Sequence, residues 1–141
     1  MLIETDVILA HVKEQDWLKP YAEKILEKAR KGIIKLYVSR EVIHELYYIA
    51  SKLNIEIDEI LRRVVALTRI NNIMWLPTTV EIDLAALTIM VEYGVSSIFD
   101  AYYAATALIM DPDKTIISTD KVYDKIPGLV RIDPRELVLK K

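Results

Sequence analysis

Residues 99–108, Phe99-Asp100-Ala101-Tyr102-Tyr103-Ala104-Ala105-Thr106-Ala107-Leu108, continue into Ile109 and Met110 and are apolar almost all round when wound as a helix. A helix over residues 97–110 with so little polar surface belongs in the middle of a domain. Asp111-Pro112-Asp113 is a turn. Beyond it TIIS, residues 115–118, reads as a strand, and residues 129–132 as another. Upstream, residues 80–92 are helical and end near Gly94, and IMWL at 73–76 is a short strand stopped by Pro77.

The same alternation runs back to the start. LIETDVIL, residues 2–9, is rich in β-branched and aliphatic residues and reads as a strand. Residues 17–31 have helical spacing, with Leu18, Tyr21, Ala22, Ile25, Leu26 and Ala29 on one face, and Lys31-Gly32 ends them. IIKLYV at 33–38 is a second strand. Ser39 then caps a helix to about residue 53 with the stripe Val42, Leu46, Ile49, Ala50 and Leu53, and a further helix covers roughly 57–70. Strands alternating with helices imply an α/β domain with a central parallel sheet flanked by helices. With no linker, repeat or low-complexity segment, residues 1–141 are expected to form one domain.

Composition narrows the function classes. Hydrophobic residues make up 52% of the chain, enough for a substantial core. No apolar run approaches the ~20 residues of a membrane span and no leader is evident, so a cytoplasmic protein is expected. There is no cysteine, which excludes disulfides and thiolate metal sites and leaves oxygen ligands or His11 and His44. The net charge of −2 excludes nucleic-acid binding by overall positive charge.

Five of the acids ask for an explanation. Glu4 and Asp6 interrupt the first strand, and a spacing of two puts them on one face, where burying unpaired carboxylates is costly. The plain alternative is an exposed strand end paired with Lys or Arg. Glu45 lies one position off the apolar stripe of its helix, at a cleft or simply on the surface. Asp100 follows Ser97 by three, the spacing of a capping box, and a helix dipole favours an acid there in any case. Asp120 follows the strand TIIS and can cap the short segment after it, or stand at the carboxyl end of a parallel strand, where open α/β sheets bind ligands. If these strand ends converge, the acids repel one another and a hard divalent cation relieves the repulsion.

The order of motifs resembles the PIN domain, and within it the VapC-type toxins. The resemblance is carried by an acid-x-Asp-Val-Ile-Leu start at Glu4, a Glu in the helix after the second strand, the run at 99–108, and Ser-Thr-Asp-Lys-x-Tyr-Asp-Lys-Ile-Pro-Gly-Leu at 118–129. It implies a three-layer PIN-like fold and a metal-dependent ribonuclease. It further implies Mg²⁺ (or Mn²⁺) held by Glu45, Asp100 and Asp120, with Ser118 and Thr119 in support. The usual first motif is Asp-Thr-Asn/Ser-Val, so here Glu4 takes the place of the leading Asp and Asp6 that of the Asn or Ser. Either or both are expected to be ligands, with Asp6 slightly preferred and counted as catalytic with Glu45, Asp100 and Asp120. The implied reaction is in-line attack of an activated water on the phosphodiester of single-stranded RNA or a tRNA loop, leaving a 5′-phosphate and a 3′-hydroxyl. Lys13, Arg40, Lys121 and Lys125 lie near the motifs and are candidates for holding phosphates.

The family also implies a small VapB-like antitoxin and a homodimer or higher homo-oligomer. Trp17, Tyr21, Tyr47 and Tyr48 suit an interface core, or packing within the monomer. A haloacid-dehalogenase-type phosphatase shares two acids spaced by two, but Glu4 fits a nucleophilic Asp poorly; a receiver-type domain fits no better. The other alternative is a catalytically inactive PIN-like module that binds RNA or protein. Against it stand the intact acids at 45, 100 and 120, which a surface built only to bind a polyanion has no use for.

Overall fold

The computed structural model describes residues 1–13 and 15–139. Five parallel strands form one sheet in the order β3-β2-β1-β4-β5. The strands are β1 (Leu2–Ile3), β2 (Leu36–Ser39), β3 (Ile73–Leu76), β4 (Thr115–Ile117) and β5 (Val130–Ile132). Among the described residues seven α-helices flank them: α1 (Thr5–Val12), α2 (Lys19–Arg30), α3 (Glu41–Leu53), α4 (Ile57–Thr68), α5 (Val80–Tyr93), α6 (Ile98–Met110) and α7 (Pro134–Leu139). A 3-10 turn, Lys121–Lys125, joins β4 to β5. The expected α/β architecture is thus observed.

The central strands are the most buried. Leu2, Ile3, Ile116 and Ile117 have almost no exposure and register side by side, Leu2 opposite Ile116 and Ile3 opposite Ile117. Helix α6 is the interior helix its composition demands: Ala101, Tyr103, Ala104, Ala105 and Ala107 are fully buried. Its run of alanines lets α5 and the sheet approach closely. Gly94 ends α5 at φ +66°, a left-handed conformation that costs glycine little. Asn54 ends α3 in the same way at φ 54°.

One element differs from expectation. Residues 2–9 are not a strand throughout: β1 stops at Ile3, and Thr5–Val12 is a helix. Glu4 is its N-cap, in extended conformation, and the N–H of Ile8 donates to the Glu4 carbonyl. A run such as TDVILA is apolar enough for either state. What decides is that Val7 and Ile8, adjacent in sequence, are both buried while β1 is only long enough to pair with its two neighbours. Other boundaries shift modestly: β2 starts at Leu36, and Ile33 ahead of it is exposed. Ser39 stands one residue further out than expected, its Oγ accepting from the N–H of Glu41 while Arg40 occupies the cap.

Candidate active site

The chain steps β1 to β2 to β3 in one direction across the sheet and β4 to β5 in the other, so the order reverses between β1 and β4. In open parallel sheets the crevice at the carboxyl ends of two such strands is where ligands bind. Glu4 leaves β1 there, Asp6 lies in the first turn of α1, and Ser118, Thr119 and Asp120 leave β4. Asp100 in the first turn of α6 and Glu45 in the second turn of α3 point to the same place. The five acids named from the sequence therefore converge, and Asp100 feels the charges of Asp120, Glu45 and Asp6. Glu4 and Asp6 share a side because a strand end runs straight into a helix, not because of strand alternation.

Glu4 is almost completely buried, at 5% exposure. Burial, and then the facing Asp6 carboxylate, push its pKa well above the ordinary range, although hydrogen bonds from Tyr123 and Ser118 oppose the shift. The Tyr123 hydroxyl lies between Glu4 Oε2 and Asp100 Oδ1, 3.2 Å from the latter. Asp100 is half-buried, and desolvation, reinforced by its acidic neighbours, raises its pKa to about 6. Asp6 Oδ2 accepts from the Thr119 hydroxyl at 2.8 Å, while Oδ1 is buried and finds no donor. Glu45 Oε1 accepts from the Tyr103 hydroxyl at 2.8 Å, and that hydroxyl is 2.6 Å from Thr5 Oγ1.

The supporting residues act through backbone and side chain. Ser118 Oγ accepts from the Asp120 N–H at 2.9 Å, and Asp120, exposed, accepts from the N–H of Val122, capping the turn as expected. Ser97 Oγ accepts from the Asp100 N–H at 3.4 Å, so that half of the capping box is present while the carboxylate meets Tyr123. Two site residues were not singled out from the sequence, Tyr103 and Tyr123. Their signal was a tyrosine in an otherwise apolar buried segment, since a buried hydroxyl needs a polar partner.

Of the basic candidates, Lys13 lies 3.9 Å from Asp16, and Arg40, Lys121 and Lys125 are exposed. His44 is exposed and bonded to Glu41 at 2.8 Å. Trp17, Tyr47 and Tyr48 are exposed rather than packed in the core, and only Tyr21 packs against it.

The donor set suits a hard divalent cation. It is all oxygen, its carboxylates raise one another's pKa, and one buried oxygen, Asp6 Oδ1, lacks a partner. Among the described residues no group of three or more acids or histidines is placed to hold a metal ion as it stands. Magnesium binds through one or two carboxylates and keeps several waters, so an open arrangement fits it.

The comparisons with known proteins bear on the fold and the family. No curated protein sequence matches the chain. A toxin–antitoxin complex from Klebsiella pneumoniae has the same fold at a TM-score of 0.66 and 19% identity, covering 94% of this chain and 96% of that one. VapBC2 from Rickettsia felis, bound to a DNA fragment from its promoter, matches at 0.67 and 14%, covering 93% and 96%. Mycobacterium tuberculosis VapC20, a sarcin–ricin loop cleaving toxin, matches at 0.69 and 15%, covering 93% and 97%. The family model of the PIN domain spans residues 1–129, and the chain belongs to that family.

Proposed function

We propose that the chain, acting as a single domain over residues 1–141, is an Mg²⁺- or Mn²⁺-dependent endoribonuclease and the toxin of a VapBC-type pair. The observation that carries this reading is the meeting of Glu4, Asp6, Glu45, Asp100 and Asp120 at one sheet crevice, with Asp6 Oδ1 buried and unpartnered. Repelling carboxylates in a half-buried crevice cost stability and are kept for a use. A bound divalent ion supplies an activated water and charge neutralisation at the departing oxygen. Glu4, Asp6, Asp100 and Asp120 are the groups to hold it, and Glu45 borders the same space. Thr119 fixes Asp6, Tyr123 fixes Glu4 and Asp100, and Tyr103 fixes Glu45.

The substrate is single-stranded RNA or an exposed tRNA loop; the sarcin–ricin loop cleaved by the Mycobacterium neighbour supports an RNA target. The toxin–antitoxin neighbours support a small VapB-like partner. Self-association into a homodimer or higher homo-oligomer is supported by Val80, Leu84, Leu87 and Val91, exposed on α5 at coiled-coil spacing. Work in the cytoplasm is supported by the absence, among the described residues, of a single helix long and apolar enough to cross a membrane.

The test is incubation with labelled single-stranded RNA in Mg²⁺ or Mn²⁺, beside EDTA and Asp100→Asn. Cutting that needs the ion and is nearly lost in the variant is expected. Cutting that survives both sinks the carboxylate mechanism. RNA binding without cutting turns the reading to an inactive PIN-like module.

A further inference from the structure

We propose that the cleft between α3 and the start of α6 is a nucleobase subsite, in which Tyr48 and Phe99 stack an unpaired base of the substrate and Lys52 pairs with a neighbouring phosphate. The inference rests on the ribonuclease reading and names what holds the RNA beside the acids. The cleft has a volume of about 390 Å³ and is lined by Glu45, Tyr48, Ile49, Lys52, Ile98 and Phe99. It shares Glu45 with the acid cluster, and Phe99 immediately precedes Asp100, so a base seated here sits beside the reacting phosphate.

The chemistry of the lining selects the occupant. Five carboxylates crowd the crevice of a chain whose net charge is −2, so a polyanion gains little from the overall field there. A contact that ignores charge is therefore favoured beside the acids. Every base has a π face, and aromatic side chains exploit it without sequence preference. Tyr48 is 58% exposed, and its ring centroid lies 5.9 Å from that of Phe99 at an interplanar angle of 60°. The pair forms an open apolar corner rather than a closed stack. One turn along α3, Lys52 is exposed and makes no ion pair among the described residues, so it is free to meet a phosphate.

The experiment uses the full chain carrying Asp100→Asn, Mn²⁺, and short single-stranded RNAs of mixed sequence with one 2-aminopurine, whose fluorescence is quenched on stacking. Quenching on binding by this parent protein is expected. Tyr48→Leu and Phe99→Leu should each weaken binding roughly 10-fold and reduce the quench, the loss expected of one base stack. Lys52→Gln should lower the salt dependence by about 0.7 in the logarithmic slope, the share of one phosphate on a single strand. Thermal melting of each variant separates misfolding from lost contact, and the quench in the parent protein is read without any variant at the cleft. RNA bound without quenching, or with unchanged affinity in both leucine variants, overturns the subsite while leaving the nuclease reading intact; the apolar cleft then belongs to a protein partner. No RNA binding by this protein, together with no cutting by the unsubstituted chain, overturns both.

Discussion

Helix α6 carries a carboxylate at each end, and the two have opposite fates. A helix dipole favours a negative charge at the N-terminus and disfavours one at the C-terminus. Asp100, in the first turn, nevertheless has its pKa raised to about 6, while Asp111, the C-cap, has its pKa lowered. Burial acts to raise both. For Asp111 it is outweighed by the N–H groups of Thr115 and Asp113, each at 3.1 Å, and by the ammonium of Met1 at 3.3 Å. Asp100 receives the Tyr123 hydroxyl at 3.2 Å and otherwise faces acids. The lesson is that burial raises both carboxyls, and only the donors and the ammonium around Asp111 reverse the sign there. Asp111 has its partners within the fold, whereas the cluster around Asp100 is left with its charges unbalanced.

The largest expected effect lies in activity. Asp100→Asn should lower RNA cleavage about 10³-fold, equivalent to ~4 kcal/mol of lost transition-state stabilisation. Its folding stability should be unchanged or higher, since one repelling charge is gone. Asp111→Asn should do the reverse, costing about 3 kcal/mol in urea unfolding by stranding buried donors and an ammonium. Cleavage per folded molecule should stay close to that of the parent. Equal stability losses in the two variants would erase the distinction between the helix ends.

Metal addition sharpens it. Mn²⁺ at about 100 times its dissociation constant should raise stability by about 2.7 kcal/mol in the parent chain. The gain should persist in Asp111→Asn and shrink in Asp100→Asn; a gain that ignores Asp100 would place the ion elsewhere.

The smallest effect is in pH dependence without metal. Asp100 and Glu4 keep protons in the folded state that the unfolded chain has already released. Folded stability is therefore lost as pH rises through the window between 3.8 and about 6 for Asp100, by on the order of 1 kcal/mol once solvent screening of this half-buried group is allowed for. Asp111 has the opposite sign: its contribution is present above the unfolded value and lost as pH falls through the lower folded one. Unfolding free energies between pH 4 and 7 should thus rise toward the acid side in Asp111→Asn. Asp100→Asn should flatten that rise, and a pH profile unmoved by it would remove the raised-pKa account.

The same contrast explains what could be read in the sequence. The interior helix at residues 97–110 and the strand after it were legible because each has one period and clear stops at Ser97, Asp111 and Pro112. Glu4 and Asp6 stood out because two carboxylates in an apolar segment are conspicuous, whereas Glu45, Asp100 and Asp120 each fit an ordinary surface or capping role and were picked out by the resemblance to the PIN domain. Residues 2–9 were misread because their composition serves helix and strand equally, and the end of β1 is set by pairing with β2 and β4 rather than by anything local. The roles of Tyr103 and Tyr123 were hidden for a related reason. Their partners Thr5 and Glu4 are distant in sequence, and in a linear pattern both tyrosines look like ordinary core residues.

Those long-range bonds have a consequence for synthesis. Thr5 meets Tyr103 across 98 positions and Glu4 meets Tyr123 across 119. A ribosome emits the chain from its N-terminus at about 5–20 residues per second. Glu4, Asp6 and Glu45 are therefore exposed to the cell for seconds before Asp100, Asp120 and Tyr123 exist. During that interval there is no crevice, because β4 has not yet inserted beside β1. On the proposed ribonuclease reading, the site stays incomplete until the segment carrying Asp120 and Tyr123 has left the ribosome, and the nascent chain cannot cut the message being read.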